Sequence, residues 1–350
     1  MDTTHTLRKQ LIRTLFPDGV PELWCPLLTH YQDDGSIDTA RMARHAEYLR
    51  AWIRGYLIPG STGDGWELDA SQKAEVLTFS VRMAQASGAR ILVGILETDP
   101  EAMLQSIADS LAFLKQISGE ESVTESLAAA RVCGFTVCPP KGKSLSQEAI
   151  HAGLSQVMSR GVPIALYQLP QVTGNEVDPK SFEALASQFD NFIFFKDTSG
   201  SDRIALSGRF RDSGIFFVRG TESDYIRWLK SAGGPYDGLL LSSANTFPEQ
   251  LAAIIKDSKK TTARVEAERL STRLSDAMSQ ILALVQDVPS GNPFANAGKA
   301  IDHYCAFGAA ARKLQGPRLH SGRYLSSEII SATGDILNRY GLMAEKGYLV

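Results

Sequence analysis

The sequence predicts an α/β protein, a (β/α)8 barrel with an N-terminal helix and a C-terminal helical extension. Three observations carry that prediction. Eight short apolar runs, each closed by a polar or turn-forming residue, alternate with helical stretches. The runs are apolar throughout rather than alternating, as strands of a parallel sheet buried on both faces are. A glycine-rich turn follows the second run, not the first, which favours a closed barrel over a doubly wound open sheet.

Residues 5–16 give the first helix, with Leu7, Leu11, Ile12 and Leu15 on one face. Strands are expected at Leu23–Leu28, Tyr56–Pro59, Ile91–Leu96, Phe135–Cys138, Ile164–Tyr167, Phe192–Lys196, Phe216–Arg219 and Gly238–Ser242. Helices such as Thr39–Arg54 and Ser71–Ser87 separate them. The polar, acidic stretch Ser118–Glu125 lengthens the link between strands three and four and reads as a surface insertion. Beyond Ser243, helices are expected at Pro248–Ile255, Ala263–Val285, Phe294–Phe307 and Leu325–Tyr340. Leu270, Leu274, Met278, Ile281 and Val285 form a stripe that packs on the barrel or on another copy of the chain. The expected division is 1–20 N-terminal extension, 21–247 barrel and 248–350 helical region.

Composition is that of a soluble enzyme: 350 residues, 43% hydrophobic, 21% charged, net charge −3. That charge gives no support for nucleic-acid or membrane partners, and no run approaches the roughly 20 apolar residues of a membrane span. Cys25, Cys133, Cys138 and Cys305 fit no zinc spacing, and neither do His5, His30, His45, His151, His303 and His320. No metal or other cofactor is expected. Free thiols and a charged N-terminal stretch without an apolar signal core suit the cytoplasm.

Three segments carry chemistry. Asn191–Lys196 is an apolar strand that ends in lysine, followed by Asp197-Thr198-Ser199-Gly200. Burial disfavours an ammonium and lowers the amine pKa. A neutral amine can attack a ketone and form a Schiff base. The alternative is that Lys196 reaches into solvent from the strand end. Tyr56–Gly65 runs from a strand into Gly60-Ser61-Thr62-Gly63. That turn can gather backbone N–H groups and two hydroxyls on a small carboxylate. It matches neither a P-loop nor a dinucleotide fingerprint. The alternative is a plain strand-to-helix turn, with Asp69 or Ser71 capping the helix beyond. In Pro163–Gly174, Tyr167 ends a strand before a Pro/Gly turn. It is either a packed ring or a proton carrier. On a barrel all three lie at the C-terminal ends of strands, where barrel active sites form.

In this order the segments resemble the dihydrodipicolinate synthase / N-acetylneuraminate lyase family of class I, pyruvate-dependent aldolases. The matching stretches are Gly60-Ser61-Thr62-Gly63-Asp64, Tyr167-Gln168-Leu169-Pro170-Gln171-Val172-Thr173-Gly174 and Lys196-Asp197-Thr198-Ser199-Gly200. Pro26–Thr29, Asp33–Asp38, Gly291-Asn292-Pro293 and Lys299 also resemble the family. Aspartate replaces the family's glutamate at Asp64, and glutamine its asparagine at Gln168. Val172 stands where true dihydrodipicolinate synthases carry a carboxylate-gripping arginine. Val137-Cys138-Pro139-Pro140-Lys141 lacks their tyrosine, which reaches a neighbouring subunit's site. The sequence is therefore more similar to the lyase branch.

The resemblance implies Lys196 as the imine-forming lysine and Tyr167 as the proton carrier. It implies Gly60, Ser61 and Thr62 as the carboxylate site, Gly220 leaving room for ligand, and Glu222 and Ser242 binding polyol hydroxyls. The substrates implied are a 2-oxo acid (pyruvate) and an aldehyde, plausibly joined as a 2-keto-3-deoxy sugar acid. A homo-oligomer, dimer or tetramer, is implied with them. The alternatives are a dehydratase on the same imine scaffold, a dihydrodipicolinate synthase and a non-catalytic 2-oxo-acid-binding protein.

Overall fold

A computed structural model describes residues 3–350. Eight parallel strands close on themselves. They are β1 (Leu23–Cys25), β2 (Gly55–Ile58), β3 (Arg90–Ile95), β4 (Val132–Val137), β5 (Ile164–Gln168), β6 (Phe192–Asp197), β7 (Phe216–Arg219) and β8 (Gly238–Leu240). They follow one another in sequence order, and β8 pairs back to β1. This is the (β/α)8 barrel the sequence predicts. Before and around it run α1 (Thr3–Leu15), α2 (Thr39–Leu49), α3 (Ala70–Ser87), α4 (Pro100–Ser118), α5 (Val123–Ala129), α6 (Gln147–Met158), α7 (Pro170–Thr173), α8 (Pro179–Gln188) and α9 (Arg203–Leu206). Beyond β8 come α10 (Pro248–Ser258), α11 (Arg264–Val285), α12 (Pro293–Phe307) and α13 (Ser327–Arg339).

Helix starts follow capping chemistry. Asp69 accepts from Gln72 N, and the Gln72 side chain accepts from Asp69 N, so Asp69 rather than Ser71 caps α3. Asp99 and Asp178 cap helices that open on proline. The expected insertion at Ser118–Glu125 is smaller than the sequence suggests. Helix α4 runs to Ser118, Gly119 ends it in the left-handed region, and Ser122 caps α5 at once. In α1, Leu11, Ile12 and Leu15 pack inward as expected, but Leu7 is 43% exposed. Arg8 takes the buried place instead, donating to Phe192 O and Phe189 O at 2.7 Å.

Inside the barrel Trp24, Leu57, Leu92, Ala165, Phe194, Val218 and Leu240 form one cluster. Trp24 fills the lower end, edge-on to Phe194 at 5.1 Å and to Phe16 at 6.1 Å. Gly55 makes room for that indole, since a Cβ there would lie 2.4 Å from it. On the outside, a single apolar cluster runs from the barrel wall at Cys25, Tyr56 and Leu239 into Leu274, Met278, Ile281 and Val285 of α11. The stripe on α11 is thus buried within this chain. Among the described residues no helix is long and apolar enough to cross a membrane.

Candidate active site

Period-2 alternation decides which residues face the barrel mouth. On β6, Phe194 points in, Phe195 joins the outer cluster, and Lys196 therefore points in. On β5, Ala165 points in and Leu166 out, so Tyr167 points in. Tyr167 and Lys196 are register partners across the two strands. Nζ of Lys196 sits 4.0 Å from the centroid of the Tyr167 ring. The same count brings Cys138, Gly220 and Ser242 inward from the ends of β4, β7 and β8. The structure thus gathers Lys196, Tyr167, Ser61, Thr62, Gly220 and Ser242 at the C-terminal mouth.

Lys196 is 5% exposed, and among the described residues no carboxylate lies within ion-pair distance of it. Burial lowers its pKa to about 7, and the negative charge of Glu222 only partly opposes this. The ring face of Tyr167 favours the ammonium, yet loss of hydration is the larger effect. An amine with this pKa is substantially neutral near pH 7. The sequence alternative, a lysine reaching into solvent, does not hold.

Gly220 makes room for the lysine itself. A Cβ at Gly220 would lie 2.3 Å from Thr198 Cγ2 and 2.9 Å from Lys196 Cε. Behind the strand, on the outer face, Asp197 has its carboxyl raised to about 6 by burial. There Asp202 pairs with Arg219 at 3.1 Å and accepts from Tyr236 at 2.5 Å. The Arg219 guanidinium lies 4.1 Å from the Trp228 ring centroid. This set braces the ends of β6, β7 and β8 and does not face the mouth.

Tyr167 is 3% exposed, and burial pushes its phenol pKa upward. Hydrogen bonds from Ser61 and Thr198 work against that rise. Thr198 Oγ1 already donates to Gln168 O at 2.7 Å, so Ser61 is the donor available. Ser61 Oγ accepts from Trp66 Nε1 at 2.9 Å, which leaves its proton for the tyrosine. Trp66 thus orients the Ser61 hydroxyl beside Tyr167, and nothing in the sequence singles Trp66 out.

Gly60 precedes a single 3-10 turn, Ser61–Gly63. The first N–H groups of such a turn lack partners within it. Thr62 Oγ1 and Ser242 Oγ lie 2.9 Å apart, joining the ends of β2 and β8. The turn is held from outside. Asn292 Nδ2 donates to Ser61 O at 2.7 Å, and Lys299 Nζ binds Asp64 at 2.5 Å. Glu222 is 7% exposed and heavily engaged. It accepts from Ser243 N at 2.9 Å, Ser243 Oγ at 2.6 Å and Tyr225 OH at 3.0 Å. Three of its roughly four acceptor directions are taken.

His30 and His45, distant from any ligand spacing in sequence, meet Asp302 in a buried group within 4.8 Å. Arg41 Nη2 lies 2.9 Å from Asp302 and supplies the cation there. The two rings bond each other at 3.1 Å. A metal ion would have to displace both contacts, so these residues fit an ion pair better than a metal. A surface cleft of about 880 Å³ lies at the opposite face of the barrel between Phe16, Arg90 and Lys256. None of the inward-facing polar residues reaches it.

Residues 119–290 match the model of the dihydrodipicolinate synthetase family, a span that includes Tyr167 and Lys196. Over that span, just under half of its length, the chain is similar to that family. Its members are pyruvate-dependent lyases and synthases. A 4-hydroxy-tetrahydrodipicolinate synthase of Streptomyces coelicolor is 22% identical over 316 residues, covering 89% of this chain and 92% of that protein. One from Mycolicibacterium paratuberculosis is 25% identical, covering 73% and 79%. Among solved structures, a prophage protein of the dihydrodipicolinic acid synthase family from E. coli K12, in complex with pyruvate, superposes with a TM-score of 0.71 at 18% identity. It covers 92% of this chain and 99% of its own. A Sulfolobus 2-keto-3-deoxygluconate aldolase does so at 0.66 and 17%, covering 91% and 96%. At these identities the structural likenesses establish the fold.

Proposed function

We propose that the protein is a class I aldolase/lyase that uses Lys196 to form a Schiff base with a 2-oxo acid and cleaves or forms the C3–C4 bond to an aldehyde. The observation that carries this reading is the buried, carboxylate-free Lys196 with its pKa near 7, seated on the ring of Tyr167. In the cleavage direction Nζ adds to the C2 ketone, and water leaves to give an iminium. Tyr167, a neutral phenol, accepts the proton of the C4 hydroxyl as it passes its own proton to the substrate carboxylate. The C3–C4 bond breaks, its electron pair flows into the iminium to give an enamine, and the aldehyde departs. The enamine takes a proton at C3, and water hydrolyses the pyruvate imine to free the lysine. Ser61, Thr62 and the turn after Gly60 hold the substrate carboxylate. Acid–base help of this kind is worth about 10²–10⁴-fold.

Curated relatives carry the name of a dihydrodipicolinate-pathway synthase. Val172 in place of an arginine argues against that reaction, and so does a β4 end without a tyrosine. Condensation of pyruvate with aspartate semialdehyde is expected to be negligible. A dehydratase acting through the same imine is the second reading, since Lys196 serves both. Product analysis separates them: pyruvate plus aldehyde, or a dehydrated oxo acid. A cytoplasmic homo-oligomer remains part of the proposal.

The deciding experiment is borohydride reduction in the presence of pyruvate. A three-carbon adduct on Lys196 alone is expected by peptide mass spectrometry. An adduct elsewhere, with Lys196→Ala still active, would sink the covalent mechanism.

A further inference from the structure

Resting on that Schiff-base reading, we infer that the aldehyde half of the substrate is apolar and lies against a wall made by Trp66, Cys138, Leu169 and Val172. The wall is continuous with the chemistry. Cys138, Leu169 and Tyr167 form one apolar cluster, with Trp66 and Val172 packed against it. Lys196 Nζ lies over the Tyr167 ring of that same cluster. Its members come from the C-terminal ends of β2, β4 and β5, so the wall rises from the lysine towards the mouth. Cys138 and Leu169 are buried, whereas Trp66 and Val172 keep part of their surface open. The Cys138 thiol, raised to about 12 by burial, is neutral and serves as a small hydrophobe.

Polar groups near the wall are committed elsewhere. Trp66 Nε1 donates to Ser61 Oγ. Gln168 Oε1 accepts from Val177 N at 2.9 Å, turned out of the barrel, and its Nε2 has no partner but is closed to solvent. Thr173 Oγ1 donates back to its own turn, at 3.1 Å to Leu169 O. The opposite side is no better supplied. Glu222 holds Ser243 and Tyr225, and Ser242 holds Thr62. Thr221 Oγ1 has no partner but is closed to solvent. A polyol chain brought here would lose its hydrogen bonds to water without replacement. An aromatic or branched alkyl group would instead cover the open faces of Trp66 and Val172. This departs from the sugar-acid substrate that the resemblance implies.

The test uses borohydride trapping on Lys196, which needs imine formation but no turnover. Half-saturation is compared for pyruvate, 2-oxo-4-phenylbutanoate and 2-keto-3-deoxygluconate. The phenyl acid is expected to trap at a concentration about tenfold or more below the polyol acid. Trp66→Ala and Val172→Asn should each shrink that ratio by about fivefold. A polyol acid that traps as well as the phenyl acid overturns the inference, and so does a ratio that neither variant moves. Failure of both long acids where pyruvate succeeds overturns it too, because no partner pocket then exists. Failure of pyruvate itself removes the Schiff-base reading beneath it.

Discussion

Two lysines are buried near the Gly60-Ser61-Thr62 turn, and they differ in what lies beside them. Lys299, 1% exposed, reaches from α12 to the Asp64 carboxylate at 2.5 Å and lies 4.7 Å from the Tyr31 ring. Lys196, 5% exposed, faces a tyrosine ring, and among the described residues no carboxylate lies at ion-pair distance from it. One residue type in two dry settings gives two kinds of work. The paired lysine holds a turn, while the unpaired one has its pKa lowered to about 7 and is the nucleophile of the proposed mechanism. Burial alone does not make a lysine reactive; burial without a counter-charge does.

Lys196→Ala gives the sharpest break. It is expected to abolish borohydride trapping of pyruvate, while Lys299→Ala still traps in whatever fraction folds. Labelling of Lys299 instead would invert the comparison. Next in size is Lys299→Met, which leaves Asp64 as an unpaired buried acid. Urea unfolding should show a loss of about 3–5 kcal/mol; a change within the error of the midpoint would mean that the pair contributes nothing.

Tyr167→Phe keeps the ring under Lys196 and removes the hydroxyl. Trapping should persist while single-turnover cleavage falls by about 10²-fold or more. Wild-type-like cleavage would remove Tyr167 from the mechanism and leave it a packed ring whose loss costs on the order of 1 kcal/mol.

A further effect is one of pH. An unfolded lysine titrates near 10.5 and the folded Lys196 near 7. Between these values the unfolded chain binds the extra proton, so this group makes the fold more stable as pH rises. Lys196→Met lacks that dependence. It should melt higher than wild type at pH 7, and the gain should shrink towards pH 10. A gain that is constant with pH would mean that the lysine is not neutralised by folding.

The pieces legible in the sequence are local ones. Lys196, Tyr167 and the Gly60-Ser61-Thr62 turn end apolar strands, so the strand pattern alone puts them at the mouth. What the pattern hides are pairings over long separations. Lys299 meets Asp64, and Asn292 meets the Ser61 carbonyl, only because α12 folds back over the β2 turn. His30 and His45 meet Asp302 for the same reason. Glu222 looks like a free loop acid until Ser243 and Tyr225 close on it. The residue before Gly60 offers no hint that Trp66, beyond the turn, would brace Ser61. Leu7 fits a helical stripe, yet Arg8 is buried, because the carbonyls of Phe189 and Phe192 lie within reach of its guanidinium.

The plug at the bottom of the barrel sets an order of events. Trp24 and Phe16 fill the lower end beneath Phe194, and Lys196 faces the C-terminal mouth. In the proposed chemistry, the water released on imine formation leaves by the route along which the aldehyde arrives. A bulky partner seated early would hold that water against the new iminium and return it to the lysine. In that chemistry a shared route would impose a queue. The oxo acid enters, water leaves, and only then does the partner dock. In cleavage the aldehyde must clear the opening before the hydrolytic water can come in.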